Sequence, residues 1–392
     1  MRIAYVAPYH GPKMVDRRPV VRNRSMSGNL KIELIASLLR ARNHDVEIIS
    51  QGEVIEHALT FYPAFTEPIP GGGITAHYAS VLPVRRINGA WSEVKTLGVF
   101  KARHRLAPYD AVLIYNLKAP QLTCADYAIR RLNIPVVLEY EDDRLVNVQG
   151  KAMQGMGVQR DIHRARRLFQ SVAGCIPVSP HLRSQLPPEI PALLLRGVVG
   201  SDLLDASRLE RPRKKMALFS GTHIASNGVG ELIDGWRLAA LPDWELHITG
   251  SGALTDSLRE RARDVPSIVF RGMVSRPELI GLMCSASICL NPHQVSLTPG
   301  NVFAFKIMEY LAAGAHVMTT PMGALEPELE AGMTYMTDNT PACIAASLRD
   351  VIGAERYRRT ARNAAHHSYG PDAVSRSLDE LFQRVQHAKR SA

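Results

Sequence analysis

The chain has 392 residues, 46% of them hydrophobic and 21% charged, with a formal net charge of +10. That is the length of two domains and the balance of an ordinary globular enzyme, with no internal repeat and no low-complexity tract. No run of roughly eighteen apolar residues occurs, so no membrane-spanning helix is expected.

The N-terminus enters a strand at once, Arg2 to Ala7, without the apolar core of a signal peptide. The five cysteines, Cys124, Cys175, Cys284, Cys289 and Cys343, are scattered and odd in number, which predicts reduced core residues rather than disulfides or a zinc site. Both features predict a cytoplasmic protein. Its basicity suits anionic partners. Aromatic residues are only 6%, without the aromatic-basic interleaving of an RNA module, so nucleic acid is not expected. An anionic membrane surface remains as a partner, which would place the protein peripherally at the inner face of the membrane.

Arg2 to Ala7 is followed by a loop holding Arg17, Arg18, Arg22 and Arg24, which is either solvated or a contact for a phosphate or lipid head group. Ser27 to Leu39 predicts a helix with Leu30, Leu34, Ile35 and Leu38 as its inner stripe. Gly28 stands at its start. Asp45 to Ser50 reads as the next strand. Residues 51–108 carry little signal beyond Gly71-Gly-Gly73, a turn.

Asp110 to Tyr115 and Ile134 to Leu138 predict buried strands. The second runs into Glu139-Tyr-Glu141-Asp142-Asp143. Carboxylates at the C-terminal end of a parallel strand lie where ligands bind in open α/β sheets. Glu141 and Asp142 could hydrogen-bond ligand hydroxyls or act as a base; helix capping and solvation are the plain alternative. Asp161 to Phe169 is a basic helix with one apolar side, suited to a protein surface or an anionic one.

Residues 200–215, charged and holding Pro212, read as a linker. Met216 to His223 is a strand ending in the Gly221-Thr222-His223 loop. Trp244 to Gly250 and Ile268 to Val274 repeat the pattern, each strand ending near a glycine. Thr340 caps and Pro341 opens a helix to Ile352, and Val374 to Ala388 is the last helix.

The stretch Thr298 to Gly323 organises the second half. Pro299-Gly300 forms a loop, Asn301 is placed to cap a helix, and Phe303, Ile307, Met308 and Leu311 recur at helical spacing. Gly314 fits the left-handed residue after a helix end. Lys306 and Glu309 interrupt the apolar pattern three residues apart, on one face. They form either a solvated salt-bridged edge or a nucleotide-diphosphate site. In the second reading, first-turn amides and Lys306 bind phosphate and a carboxylate accepts from ribose.

This stretch resembles the donor-site helix of retaining glycosyltransferases of family 4, on the GT-B fold. That family carries a Glu-x7-Glu pattern, and Glu309 matches the second, ribose-binding glutamate; Asn301 stands in place of the first. The Ser27–Ser50 segment resembles the opening of the same family, and Ile268 to Val274 resembles the strand whose backbone reads the nucleobase. The resemblance implies α/β architecture with two Rossmann-like domains facing a central cleft. Their expected extents are 1–200 on the acceptor side, a linker over 201–212, a nucleotide-sugar-binding domain over 213–370, and a helix over 371–392 crossing back. It implies a nucleotide-sugar donor, UDP- or GDP-linked, a sugar or lipid-linked acceptor, and no cofactor or metal. It also implies a role in cell-envelope polysaccharide or glycolipid synthesis.

The residues so implied are Lys306, Glu141, Asp142 and Asn301 for catalysis. Gly28, Gly221, Thr222, His223, Gly250, Gly272, Met273, Val274, Gly300, Asn301, Val302, Lys306 and Glu309 are implied for the donor. Thr222 and Asn227 stand where the family has an Arg-Lys pair on the diphosphate, and Glu141-Asp142 where it has a His-Asp pair. Two alternatives stay open: a nucleotide-sugar epimerase on the same fold, and a degenerate, non-catalytic binding subunit, which the departures at Asn301, Thr222 and Asn227 support. A nicotinamide dehydrogenase is remote, since the lone Gly250-x-Gly252 lacks a third glycine.

Overall fold

The computed structural model describes residues 1–18, 26–54, 60–69, 72–84, 87–142, 156–209, 212–295, 303–323, 325–352 and 358–391. Arg22, Arg24, Gly71, Asp143, Gly300, Asn301 and Val302 lie outside them. The chain forms two compact units. One comprises Met1–Leu195 with Val374–Ala392, the other Arg196–Ala373.

The first unit holds strands β1 (Arg2–Val6), β2 (Asp45–Ser50), β3 (Phe65–Pro68), β4 (Thr75–Tyr78), β5 (Ala111–Tyr115), β6 (Val136–Tyr140) and β7 (Gly174–Pro177). They order as β3-β4-β2-β1-β5-β6-β7, all parallel except the β3–β4 pair. The central strands are unbroken apolar runs such as Ala111-Val-Leu-Ile114, fully buried, because helices cover both faces of a parallel sheet. Strand order reverses at β1, so the C-terminal ends of β1 and β5 flank a switch point.

The second unit holds β8 (Lys214–Ser220), β9 (Glu245–Thr249), β10 (Ile268–Gly272), β11 (Ala286–Asn291), β12 (His316–Thr319) and β13 (Met333–Tyr335). Their order is β10-β9-β8-β11-β12-β13, all parallel. Here the switch lies between β8 and β11. One core on each side of the sheet is built from the alternate residues of these strands, Leu218 and Cys289 on one side, Phe219 and Leu290 on the other.

Several expectations change in three dimensions. The stretch expected as a linker contains a helix, Ser201–Arg208, held in the second unit by Leu203 and Leu204 in its core. The inner face of helix Met26–Ala41 is Lys31, Ile32, Ile35, Ala36, Leu38 and Leu39, whereas Leu30 is 62% exposed. The stripe is rotated because Lys31 turns inward to two carboxylates. Residues 51–108 contain β3, β4 and a long helix, Asn88–Leu106. Arg18 is no phosphate contact. It is buried and donates to the carbonyl oxygens of Gly52, Pro63 and Ala79 at 2.8 Å each.

The basic helix runs Met156–Phe169, with Arg160 and Arg164 engaged by Glu93 at 2.6 and 3.0 Å. Thr340 caps Pro341–Val351, its Oγ1 accepting from Cys343 N at 3.3 Å. The last helix spans Pro371–Ser391. All five cysteines are free, four of them buried.

Candidate active site

At the switch point of the second unit, β8 ends at Ser220, just before Gly221, and β11 leads towards the helix Lys306–Ala312. That helix starts at Lys306, after Phe303, Ala304 and the turn residue Phe305, and not at the expected 301–302. The apolar side is as expected: Ile307, Met308 and Leu311 are buried, and Gly314 closes the helix with φ 76°. A further strut is Tyr310, whose hydroxyl accepts from Ser220 N at 2.9 Å and so ties the helix to the end of β8.

Lys306 points back over that strand end. Its Nζ lies 4.3 Å from the centre of the Phe219 ring, a cation–π contact. A Cβ placed on Gly221 would come within 3.4 Å of the same nitrogen. Lys306 is half-buried, and among the described residues it has no carboxylate partner. Burial lowers its pKa to about 7, with Cys289 opposing. An anion brought to this nitrogen would restore its charge.

Glu309, one turn on, is not paired with Lys306. Its Oε1 accepts from Arg276 Nη1 at 2.6 Å. Arg276 opens the helix Arg276–Ser285, and its Nε donates to Asp202 Oδ2 at 2.9 Å. The solvated Lys306–Glu309 edge is therefore absent. Arg276 was not singled out in the sequence, since it has no periodic or spacing signal; only the fold brings it to Glu309.

The glycine-ended strands interlock. Gly221 N donates to Thr249 O at 3.2 Å and Gly250 N to Gly272 O at 2.8 Å. Gly250 has φ 110°, and a Cβ there would lie 2.0 Å from Gly221 O. The loops need glycine to pass one another, before any ligand is considered. Gly272 takes φ 65° with nothing within 4 Å of its missing Cβ, and Met273 beyond it is 70% exposed, followed by Val274.

Thr222 and Asn227 face each other: Asn227 Nδ2 donates to Thr222 O at 2.6 Å. The positions that resemble a cation pair thus close a neutral turn. His223 is fully buried, its Nδ1 3.0 Å from Thr255 Oγ1 and its ring edge-on to Phe270. Burial lowers its pKa, so the ring is neutral and packed inside and supplies no fixed positive charge for a diphosphate.

A second polar cluster lies in the first unit, at the C-terminal end of β6. Lys31, 4% exposed, contacts Glu141 and lies 3.5 Å from Glu139. Tyr5 donates to the other Glu139 oxygen. Burial opposes the charge on Lys31, but Glu141 and Glu139 outweigh it and raise its pKa. Burial pushes the Glu141 carboxyl up to about 7, against Lys31. Asn116, at φ 58°, accepts from the Glu141 and Asp142 backbone amides at 2.8 and 3.1 Å and donates to Asp142 Oδ2 at 3.2 Å. Gly28 sits in the first turn of Met26–Ala41.

Among the described residues no group of three His, Cys, Asp or Glu side chains is arranged to hold a metal ion. No described helix is long and apolar enough to cross a membrane.

Two doubly wound units with glycine-ended strands at a switch point are the GT-B architecture. The sucrose-phosphate synthase of Thermosynechococcus elongatus superposes with a TM-score of 0.72 at 14% identity, covering 99% of this chain and 100% of that one. Anabaena Alr3699/HepE, solved in complex with UDP, gives 0.64 at 13% identity over 98% and 100%. Residues 214–353, within the second unit, match the family model for glycosyl transferases group 1. Over 119 residues the chain is 33% identical to a GDP-mannose-dependent alpha-(1-6)-phosphatidylinositol dimannoside mannosyltransferase of Mycobacterium tuberculosis. The match spans 30% of this chain and 30% of that relative.

Proposed function

We propose that this chain is a glycosyltransferase that moves a hexosyl group from a nucleotide-sugar to an acceptor hydroxyl, with retention and without a metal ion. The observation that carries the reading is Lys306. It is a half-buried amine whose positive charge burial opposes, with no carboxylate partner among the described residues, beside the glycine that follows β8 at the switch point. Such a cation is costly unless an anion visits it. A nucleoside diphosphate is the anion that suits a helix carrying Lys306 and Glu309 three residues apart. The lysine stabilises the departing diphosphate and the carboxylate takes ribose hydroxyls.

In the first unit, Glu141 and Asp142 would meet the acceptor, a sugar or lipid-linked sugar, as hydrogen-bond acceptors or base. A role in envelope polysaccharide or glycolipid synthesis at an anionic membrane surface agrees with the net charge of +10. The donor of the mycobacterial relative makes GDP-mannose the first to try.

The experiment is a thermal-shift panel of UDP, GDP and their sugars, followed by transfer assays with the donor that stabilises. Binding to the native state alone raises its apparent stability. A panel without any shift would reject the donor site. The Asn227–Thr222 hydrogen bond favours a second reading, a binding subunit that has lost catalysis. It predicts a shift without any sugar transfer.

A further inference from the structure

Lys306 and Glu309 lie three apart on one helix, the spacing at which opposite charges pair. They do not pair. The lysine lies over Phe219, and the glutamate is taken by Arg276, itself anchored by Asp202. We propose that Arg276 is a positioning residue that keeps Glu309 off Lys306, so that one helix offers a carboxylate to ribose and a separate ammonium to the diphosphate. This rests on the donor-site reading above.

The geometry gives each part a distinct task. Arg276 Nη1 holds one carboxylate oxygen of Glu309 at 2.6 Å. Glu309 Oε2 has no partner among the described residues, and it is the oxygen left for a ribose hydroxyl. On the far side Arg276 meets Asp202 through two nitrogens, Nε at 2.9 Å and Nη2 at 3.3 Å. That two-nitrogen contact fixes the plane of the guanidinium, which a lysine could not reproduce. A glutamate side chain has three rotatable bonds. Without Arg276 the nearest strong cation to Glu309 on its own helix is Lys306, and a pair there would consume both groups at once.

The other groups around Lys306 do not compete for it. Cys289 on β11 is a thiol whose pKa burial raises to beyond the working range. Tyr310 stays neutral through burial and serves the Ser220 amide. His293, in the loop after β11, is lowered by burial and by Lys306 itself. Glu309 is therefore the carboxylate whose placement decides whether Lys306 is free.

The test is isothermal titration of UDP and of GDP at pH 8 in buffers of different ionisation enthalpy, which counts protons taken up on binding. In the unaltered chain a diphosphate should recharge Lys306, giving uptake of up to about one proton. In Arg276→Ala, Glu309 should move onto Lys306 and charge it beforehand. Uptake should then fall towards zero, and affinity should drop about tenfold or more. The loss of affinity for 3′-deoxy nucleotides, relative to their ribose forms, should also disappear. Arg276→Ala combined with Glu309→Gln should bring proton uptake back, which a purely structural role of Arg276 would not do. If Arg276→Ala keeps both proton uptake and the deoxyribose penalty, the inference is wrong and the donor site stands. If the unaltered chain binds neither UDP nor GDP, the donor reading itself fails.

Discussion

The Lys306 ammonium lies 4.3 Å from the centre of the Phe219 ring, between the helix that follows β11 and the end of β8. An aromatic face stabilises a cation only modestly, and burial still lowers this pKa to about 7. Below pH 7 the lysine is charged in the free protein. Above it, a proton must be taken up before the diphosphate is fully held. Donor affinity should therefore fall as pH rises from 7 to 9, by up to about tenfold per unit. Affinity independent of pH over that range would remove Lys306 from the phosphate site.

Replacing the lysine tests its catalytic weight. Lys306→Ala should slow single-turnover transfer on the order of a hundredfold, as removal of one electrostatic stabiliser does. Arginine at this position should rescue only part of the rate, because its planar fork differs from a compact ammonium. His223→Ala should leave the charge term unchanged, since that ring is buried and neutral. A normal rate in the lysine variant with collapse in the histidine variant would reverse the assignment.

Glu309→Gln should weaken donor binding by roughly 1.5–3 kcal/mol, the range of a hydrogen bond to a charged group. Its melting temperature should change little, because the partner it loses, Arg276, keeps Asp202. Calorimetry showing unchanged nucleotide affinity would exclude the ribose contact.

Transfer should persist in EDTA. The charge stabilisation of the departing diphosphate comes from Lys306. Loss of turnover on chelation, restored by magnesium or manganese, would show that the diphosphate needs a metal as well.

Glu141 gives a pH signature in the first unit. Burial, with Glu139 adding and Lys31 opposing, raises its carboxyl from 4.5 to about 7. The native state then binds its proton more tightly than the unfolded chain does. The stability so gained is full below pH 4.5 and is lost as pH rises through 7. Urea midpoints of Glu141→Gln should lack that decline. Parallel midpoint curves for the two proteins would show that Glu141 titrates normally.

The sequence alone determined the alternation of strands and helices, because buried parallel strands must be apolar runs and helices must carry an apolar stripe. It located Lys306 and Glu309 on one short helix and the glycines at strand ends, because those signals are local. It misplaced the helix start and the inner face of Met26–Ala41, where Lys31 is buried and Leu30 is exposed. Only the tertiary structure decided which charges meet. Arg276 reaches Glu309 across 33 residues and Lys31 reaches Glu141 across 110. Such partners leave no periodicity behind, since their proximity is set by the order of strands in the sheet and not by spacing along the chain. The same holds for Gly250. Its lack of a side chain is required by the carbonyl of Gly221, which only the pairing of β8 with β9 brings alongside.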